Sequence, residues 1–333
     1  MAEAKVHWVR SNGFVLGLGL AVVVAFLVPG PGSRDGLLHP EILNNVGVAL
    51  ILFLQGLSLP FEKIRNSLGQ WRLHLVIQGF TFVLFPLVGL LLDALLPRLW
   101  TSEPMAIRSG FLYLCVLPSV VSTSVVFTTT AGGNTAGALF NAAFSNLLGV
   151  FATPVLVHWL MQSAGHGAMP PFGPLLLKIT LLTLIPFSLG AALRPRLREW
   201  FDPRKAWAAR ISNAVILCIV YTAFCDSVAE RIWSKYSSLL TVQIIAVVIA
   251  LFAGISFLAW GLCKALRFDR ADTIAAYFCS VKKTLAMGVP LAALIFGARP
   301  DLSLILLPIM LYHPLQLIVN GILANQLSKG ARS

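Results

Sequence analysis

Adjacent lysines in the middle of an uncharged run, Lys282 and Lys283 in "AAYFCSVKKTLAMGVPLAALIFG" (Ala275 to Gly297), constrain this chain more than any other feature. The run has no carboxylate, and it is long enough to cross a bilayer, which takes about 20 largely apolar residues. Cut at its charged and Pro/Gly-rich joints, the whole chain falls into such pieces. The cuts predict ten spanning helices at 10–30, 38–60, 73–97, 107–131, 134–162, 172–194, 206–229, 237–264, 271–297 and 301–327. Hydrophobic residues make up 57% of the 333 and charged ones only 11%, a balance that excludes a soluble domain. The expected fold class is therefore an all-α membrane protein.

The formal charge of +12 would suggest a nucleic-acid partner in a soluble chain, but the basic residues sort by loop. Sixteen lie on the side shared by both termini, among them Lys63, Arg65, Arg72, Lys264, Arg267, Arg332 and the run Arg194 to Arg210; six lie on the other. The excess places both termini in the cytoplasm and leaves no case for nucleic acid. "RPRLREWFDPRKAWAAR" reads as a cytoplasmic linker with an amphipathic surface segment. The first span lacks a small-x-small cleavage site before "VPGPGSRDG", so it is expected to be retained. Five cysteines without CxxC spacing indicate neither a disulfide framework nor a metal site, and no cofactor is expected.

Five spans precede the joint at 163–172 and five follow, so a duplicated half would be inserted upside down, as in many secondary transporters. The expected repeats are 1–163 and 170–329. "YLC" at Tyr113 to Cys115 and "YFC" at Tyr277 to Cys279 hold matching places in spans four and nine. These same spans carry helix breakers. Span four has Pro118 among Ser119, Ser122, Thr123 and Ser124; span nine has Ser280, Lys282, Lys283, Thr284, Gly288 and Pro290. Proline frees backbone groups that side chains, water or a ligand must satisfy, so matched breaks point to a binding site.

A lysine at the centre of a spanning helix costs roughly 2.5 to 3.5 kcal/mol. Snorkelling does not relieve it, because Lys282 lies twelve residues beyond Arg270, a climb of about 18 Å at 1.5 Å per residue. Adjacent helix positions point about 100° apart, so one of the pair is expected to meet a water-filled cavity or an anion. In span ten, His313, Gln316 and Asn320 recur at three- and four-residue spacing and share a face. His313 reads equally as a satisfied core histidine or as a substrate or proton group. Asp226 and Glu230 read as solvated edge residues.

Stretches such as "SGFLYLCVLP", "AGGN", "SNLLG", "IVYTAF", "KKTLAMGVPLA" and "YHPLQL" make the chain resemble the bile acid:sodium symporter family over nearly its whole length. It is most similar to the branch of the seventh human member of solute carrier family 10 and its bacterial relatives. The resemblance implies ten helices in two inverted five-helix repeats. A panel domain would come from helices 1, 2, 6 and 7 and a core domain from helices 3–5 and 8–10, with broken helices 4 and 9 crossing at the substrate and ion sites. In the family's sodium-coupled members, a glutamate opens a Glu-x-Gly-Met-Gln-Asn-Ser-Gly-Leu-Ala motif. The match here is "KTLAMGVPLA", which places Lys283 on that glutamate and Met287 on the glutamine. The span-three glutamine falls on Thr81, and the span-four Ser-Asn pair on Thr123 and Ser124. The span-five hydroxyls fall near Ala138 and Ala142, with Asn141 the nearest polar residue. Sodium needs several hard oxygen ligands, and this set supplies few beyond backbone carbonyls.

The resulting expectation is a secondary transporter of an organic anion, not an enzyme. Lys283 would stand in for sodium, held by Thr123, Ser124 and carbonyls, and Lys282 would attract the anion; the cycle would be sodium-independent or proton-coupled. Exchanged lysine roles, or ion pairing with Asp226 or Glu230, remain open, as do ordinary sodium symport and a non-transporting regulator of ion homeostasis. The candidate substrate or ion residues are Thr81, Ser119, Ser122, Thr123, Ser124, Asn141, Lys282, Lys283, Thr284, His313 and Gln316. The expected setting is the plasma (bacterial inner) membrane, as a monomer or weak dimer in the lipid bilayer with a small organic anion as substrate.

Overall fold

The computed structural model describes residues 2–34, 36–58, 69–100, 104–165, 171–235, 238–297 and 299–329. Lys63, Arg65 and Arg332, counted above among the loop charges, lie outside them. The described elements are all helical. They are α1 (Ala2–Leu27), α2 (Pro40–Leu57), α3 (Trp71–Gly79), α4 (Phe85–Leu99), α5 (Met105–Val116), α6 (Val121–Thr130) and α7 (Thr135–Ser163). The second half has α8 (Phe172–Ile179), α9 (Ile185–Phe201), α10 (Lys205–Ala229), α11 (Ser238–Ala265), α12 (Arg270–Ser280), α13 (Leu285–Phe296) and α14 (Leu302–Lys329). A π-helical turn joins α3 to α4 at Phe80–Leu84, and another joins α8 to α9 at Thr180–Leu184.

Seven helices among the described residues are long and apolar enough to span a bilayer, or eight when α5 and α6, bent by 58°, count as one broken span. The ten expected spans exceed this for two reasons. Of α1 only Gly13–Leu27 enters this count, and the sixth and seventh spans run on as one helical stretch, Gly173–Ala229. The expected linker with its amphipathic surface segment is thus helical, with Trp200 and Trp207 on its exposed face. Its buried face carries Phe201 and Ala208 against Leu57, and Arg194, itself buried, reaches Asp202 at 2.5 Å.

By contacts the chain divides into two units. One comprises Met1–Ser58, Leu175–Ser237 and Val289–Leu304; the other comprises Leu59–Pro174, Ser238–Gly288 and Ile305–Ser333. In the first unit α2 and α9 touch backbone to backbone. A Cβ on Gly56 would lie 2.1 Å from the Phe187 carbonyl oxygen, and one on Gly190 would lie 2.2 Å from that of Phe53. Small residues permit such approach where lipid offers no hydrophobic drive between helices. Asp226 in this unit is buried and accepts the Arg34 backbone N–H at 2.8 Å, which corrects its reading as a solvated edge; Glu230 is exposed as expected.

In the second unit Asn134 fastens three helix ends together. It caps α7 by accepting from the Gly137 N–H, and its amide donates to Gln70 (2.9 Å) and Asp272 (2.7 Å). In the most apolar 18 residues of Arg270–Phe296, 94% of positions are buried, against 29 to 56% for the corresponding part of the other six spans. A segment so enclosed faces protein on all sides, so its lysines cannot reach water past a neighbour.

Candidate functional site

Proline dictates the first break. α5 ends at Val116 before Pro118, and the chain stays non-helical until Val121. Pro118 has no N–H to offer the last turn, and the Ser119 N–H turns away to the Ser145 hydroxyl (3.2 Å), so the Cys115 carbonyl loses its helical partner. The Val116 carbonyl is taken by the Thr153 hydroxyl at 3.0 Å. Asn146 donates to the Ser119 carbonyl at 2.7 Å. The second break covers residues 281–284, between α12 and α13. The two breaks bond each other, the Thr284 N–H donating to the Pro118 carbonyl at 3.0 Å.

The second break is held from α14 and α5. Gln316 spans Lys283 with one amide, accepting its N–H at 2.9 Å and donating to its carbonyl at 2.8 Å. The same amide nitrogen lies 3.0 Å from His313 Nδ1. Tyr312 donates to the Val281 carbonyl (2.7 Å), and Tyr113 to that of Gly288 (2.6 Å). Ser124 donates to the Phe278 carbonyl at 3.0 Å.

Both lysines are fully buried. The Lys283 ammonium donates to three backbone carbonyls, those of Leu117 (2.6 Å), Cys115 (3.0 Å) and Thr81 (3.3 Å). It also lies 3.9 Å from the centre of the Phe85 ring. The Thr81 carbonyl is free for a reason written in the sequence. Within a π turn a carbonyl bonds five residues ahead, as Phe80 does with the Phe85 N–H, and five residues beyond Thr81 stands Pro86, which has no N–H. Three orphaned carbonyls meet three ammonium protons. The expected carbonyl ligands are therefore present, but the expected hydroxyls are not. Ser124 is spent on Phe278, and the buried Thr123 hydroxyl has no partner.

Lys282 differs. Its ammonium has no hydrogen-bond partner and rests 3.8 Å from the centre of the Phe127 ring, with Phe278 at 5.6 Å. Neither lysine is paired with a carboxylate among the described residues.

The remaining candidates divide. Ser119, Thr123, Ser124, Thr284, Thr81, His313 and Gln316 border the breaks or the lysines. Ser122 is exposed on α6 and joins no described contact there. Asn141 is saturated, donating to the Gly137 carbonyl and His74 Nδ1 (2.9 Å each) and accepting from Gln78 at 3.2 Å, so it has little left for an ion. The sequence reading missed Ser145, Asn146, Tyr113, Tyr312, Phe85 and Phe127. The tyrosines gave a usable signal, because a phenol inside an apolar span needs an acceptor and a broken helix supplies one.

Residues 12–329 match the SBF-like CPA transporter family. The chain is 38% identical over 316 residues to the Escherichia coli protein YfeH, covering 94% of this chain and 92% of that one. It is 35% identical over 320 residues to sodium/bile acid cotransporter 7 of Danio rerio (95% and 93% covered). With sodium/bile acid cotransporter 7 of Rattus norvegicus it shares 34% over 318 residues (95% and 92% covered).

Proposed function

This chain belongs to the SBF-like CPA transporter family, an integral membrane transporter and not an enzyme, and on that premise we propose that it carries an organic anion by alternating access with the Lys283 ammonium in the seat of a coupling cation. One observation carries the reading: three carbonyls stripped of helical partners by Pro118, the neighbouring break and Pro86 converge on that ammonium. Carbonyl rings of this kind replace the hydration shell of a metal cation elsewhere. A covalently attached cation holds the two breaks together as an ion would, with no ion to load.

The finer architecture belongs to the same proposal: ten spans in inverted repeats 1–163 and 170–329, and a core moving against a panel. Helical elements at each of the ten expected positions support it, as does a contact unit that gathers α1, α2, α9 and α10, though that unit also takes in Val289–Leu304 from the expected core. Both termini are assigned to the cytoplasm of a plasma membrane. Gly32 is unsuitable as a labelling site, since a Cβ there would meet Tyr221 at 2.6 Å, whereas Leu37 is 87% exposed. Leu37→Cys is expected to react with an impermeant maleimide on intact cells and Ser328→Cys only after permeabilisation; reversed labelling overturns the orientation.

The names of the relatives favour one second reading, ordinary sodium symport of a bile acid-like anion. Uptake of labelled carboxylated and sulfated organic anions into proteoliposomes separates the two. Under the Lys283 reading, exchanging sodium for potassium or choline leaves uptake within about twofold. Saturable activation by sodium, on the order of tenfold or more, sinks it. No uptake of any anion under either condition leaves the regulator reading in place.

A further inference from the structure

The other lysine and arginine side chains drawn into the interior among the described residues have oxygen around them. Arg194 has Asp202, Arg108 is held by both carboxylate oxygens of Asp93 (3.0 and 2.9 Å), and Lys283 has three carbonyls. Lys282 has only the faces of Phe127 and Phe278. An aromatic face stabilises an ammonium but offers no acceptor for its three protons. A fully desolvated cation left so is expensive, and such residues mark ligand pathways.

More unspent donors lie on the helix that carries this ring and on the helix packed behind it. Thr123, one turn before Phe127 on α6, has a buried hydroxyl without a partner. On α14, Gly321 backs onto Phe127, a Cβ there standing 3.8 Å from the ring's Cζ, and the preceding Asn320 is fully buried with neither amide atom bonded. Asn320 continues the face of Gln316, whose amide holds the backbone of Lys283. The helix that fixes one lysine therefore also packs on the ring that covers the other.

We propose that Lys282, Asn320 and Thr123 form an occluded subsite for the acidic head of an amphipathic organic anion, a carboxylate, sulfonate or sulfate, with the Phe127 ring covering the ammonium until the anion displaces it. The inference rests on the organic-anion reading above and adds where the head binds. Ammonium, amide N–H and hydroxyl all donate, which suits an oxyanion with several lone pairs. The Phe127 and Phe278 rings, 5.9 Å apart, offer apolar faces to the body behind the head. A cation would meet Lys282 and be repelled.

The test is thermal denaturation of the purified full-length protein titrated with 1-naphthoate, 1-naphthalenesulfonate and the uncharged 1-naphthalenemethanol, since a ligand of the folded state raises the midpoint with its concentration over Kd. The anions are expected to stabilise saturably and the alcohol not. Lys282→Met, of similar length, is expected to raise the ligand-free midpoint by removing an unpaired charge, and to weaken both anions at least about tenfold. Lys282→Arg should keep most of the affinity, and Asn320→Leu should lose about threefold to tenfold. Unchanged affinity in Lys282→Met, equal response to the alcohol, or no response to either anion overturns the subsite. Anion uptake into proteoliposomes separates the two readings: uptake that Lys282→Met retains at unchanged half-saturation overturns the subsite alone, whereas no uptake of any anion by the unmodified protein overturns the organic-anion reading beneath it.

Discussion

Lys283→Ala is expected to abolish transport and to lower the thermal midpoint of the purified protein by on the order of 10 °C. The substitution leaves the Thr81, Cys115 and Leu117 carbonyls unpaired in a fully enclosed place. Each orphaned buried group costs about 1–3 kcal/mol, and the hole left by three methylenes and an ammonium adds to that. Lys283→Met refills the hole and recovers part of the stability, but none of the carbonyl bonding. Lys283→Arg fails differently, because a planar fork cannot aim three protons from one nitrogen at three carbonyls. The decisive measurement is chemical rescue. Propylammonium in the buffer should restore part of the midpoint and part of the uptake of Lys283→Ala, whereas propanol at equal concentration should not. A stable, active Lys283→Ala protein would remove the lysine from the cation seat.

The sequence revealed where the first break would fall because proline acts locally, and it marked the second by two lysines in an apolar run. Pro118 and the "SVKKT" stretch are visible without any neighbour, and both interruptions formed at those places. Which oxygens would surround Lys283 was not visible, because that depends on carbonyls, and every residue has one. The Thr81 carbonyl is a partial exception: Pro86 five residues on is legible, but only a π turn makes that spacing matter, and nothing in "FTFVLFP" demands one. Side-chain chemistry misled for the same reason. Thr123 and Ser124 were expected at the ammonium on account of their hydroxyls, yet the Ser124 hydroxyl satisfies Phe278 at the end of α12. The joint between spans six and seven was legible as charge but not as continuing helix. Helices six and seven run on through Asp202, where the ion pairs to Arg194 and Lys205 neutralise a carboxylate that otherwise marks a loop.

Gln316→Leu is expected to be nearly as damaging as the loss of Lys283, and its neighbour on the same face supplies the control. Gln316 is fully buried, and its single amide replaces two bonds that the broken helix cannot make, one to the N–H and one to the carbonyl of Lys283. Leucine fills a similar volume but leaves both backbone groups orphaned, at a cost of about 2–6 kcal/mol in total. Gln316→Glu keeps the acceptor for the N–H but turns a donor into a second oxygen facing the Lys283 carbonyl, so it is not expected to rescue. Asn320 is equally buried one turn further on, but neither of its amide atoms is bonded. Asn320→Leu therefore removes only desolvated polar surface and is expected to leave the ligand-free midpoint unchanged or higher. The pair differs in hydrogen bonding and in little else, so thermal denaturation of the two variants side by side isolates it. Equal shifts would mean that packing along α14, and not the amide clasp, holds the second break in register with the first, and Lys283 would then be placed by its carbonyls alone.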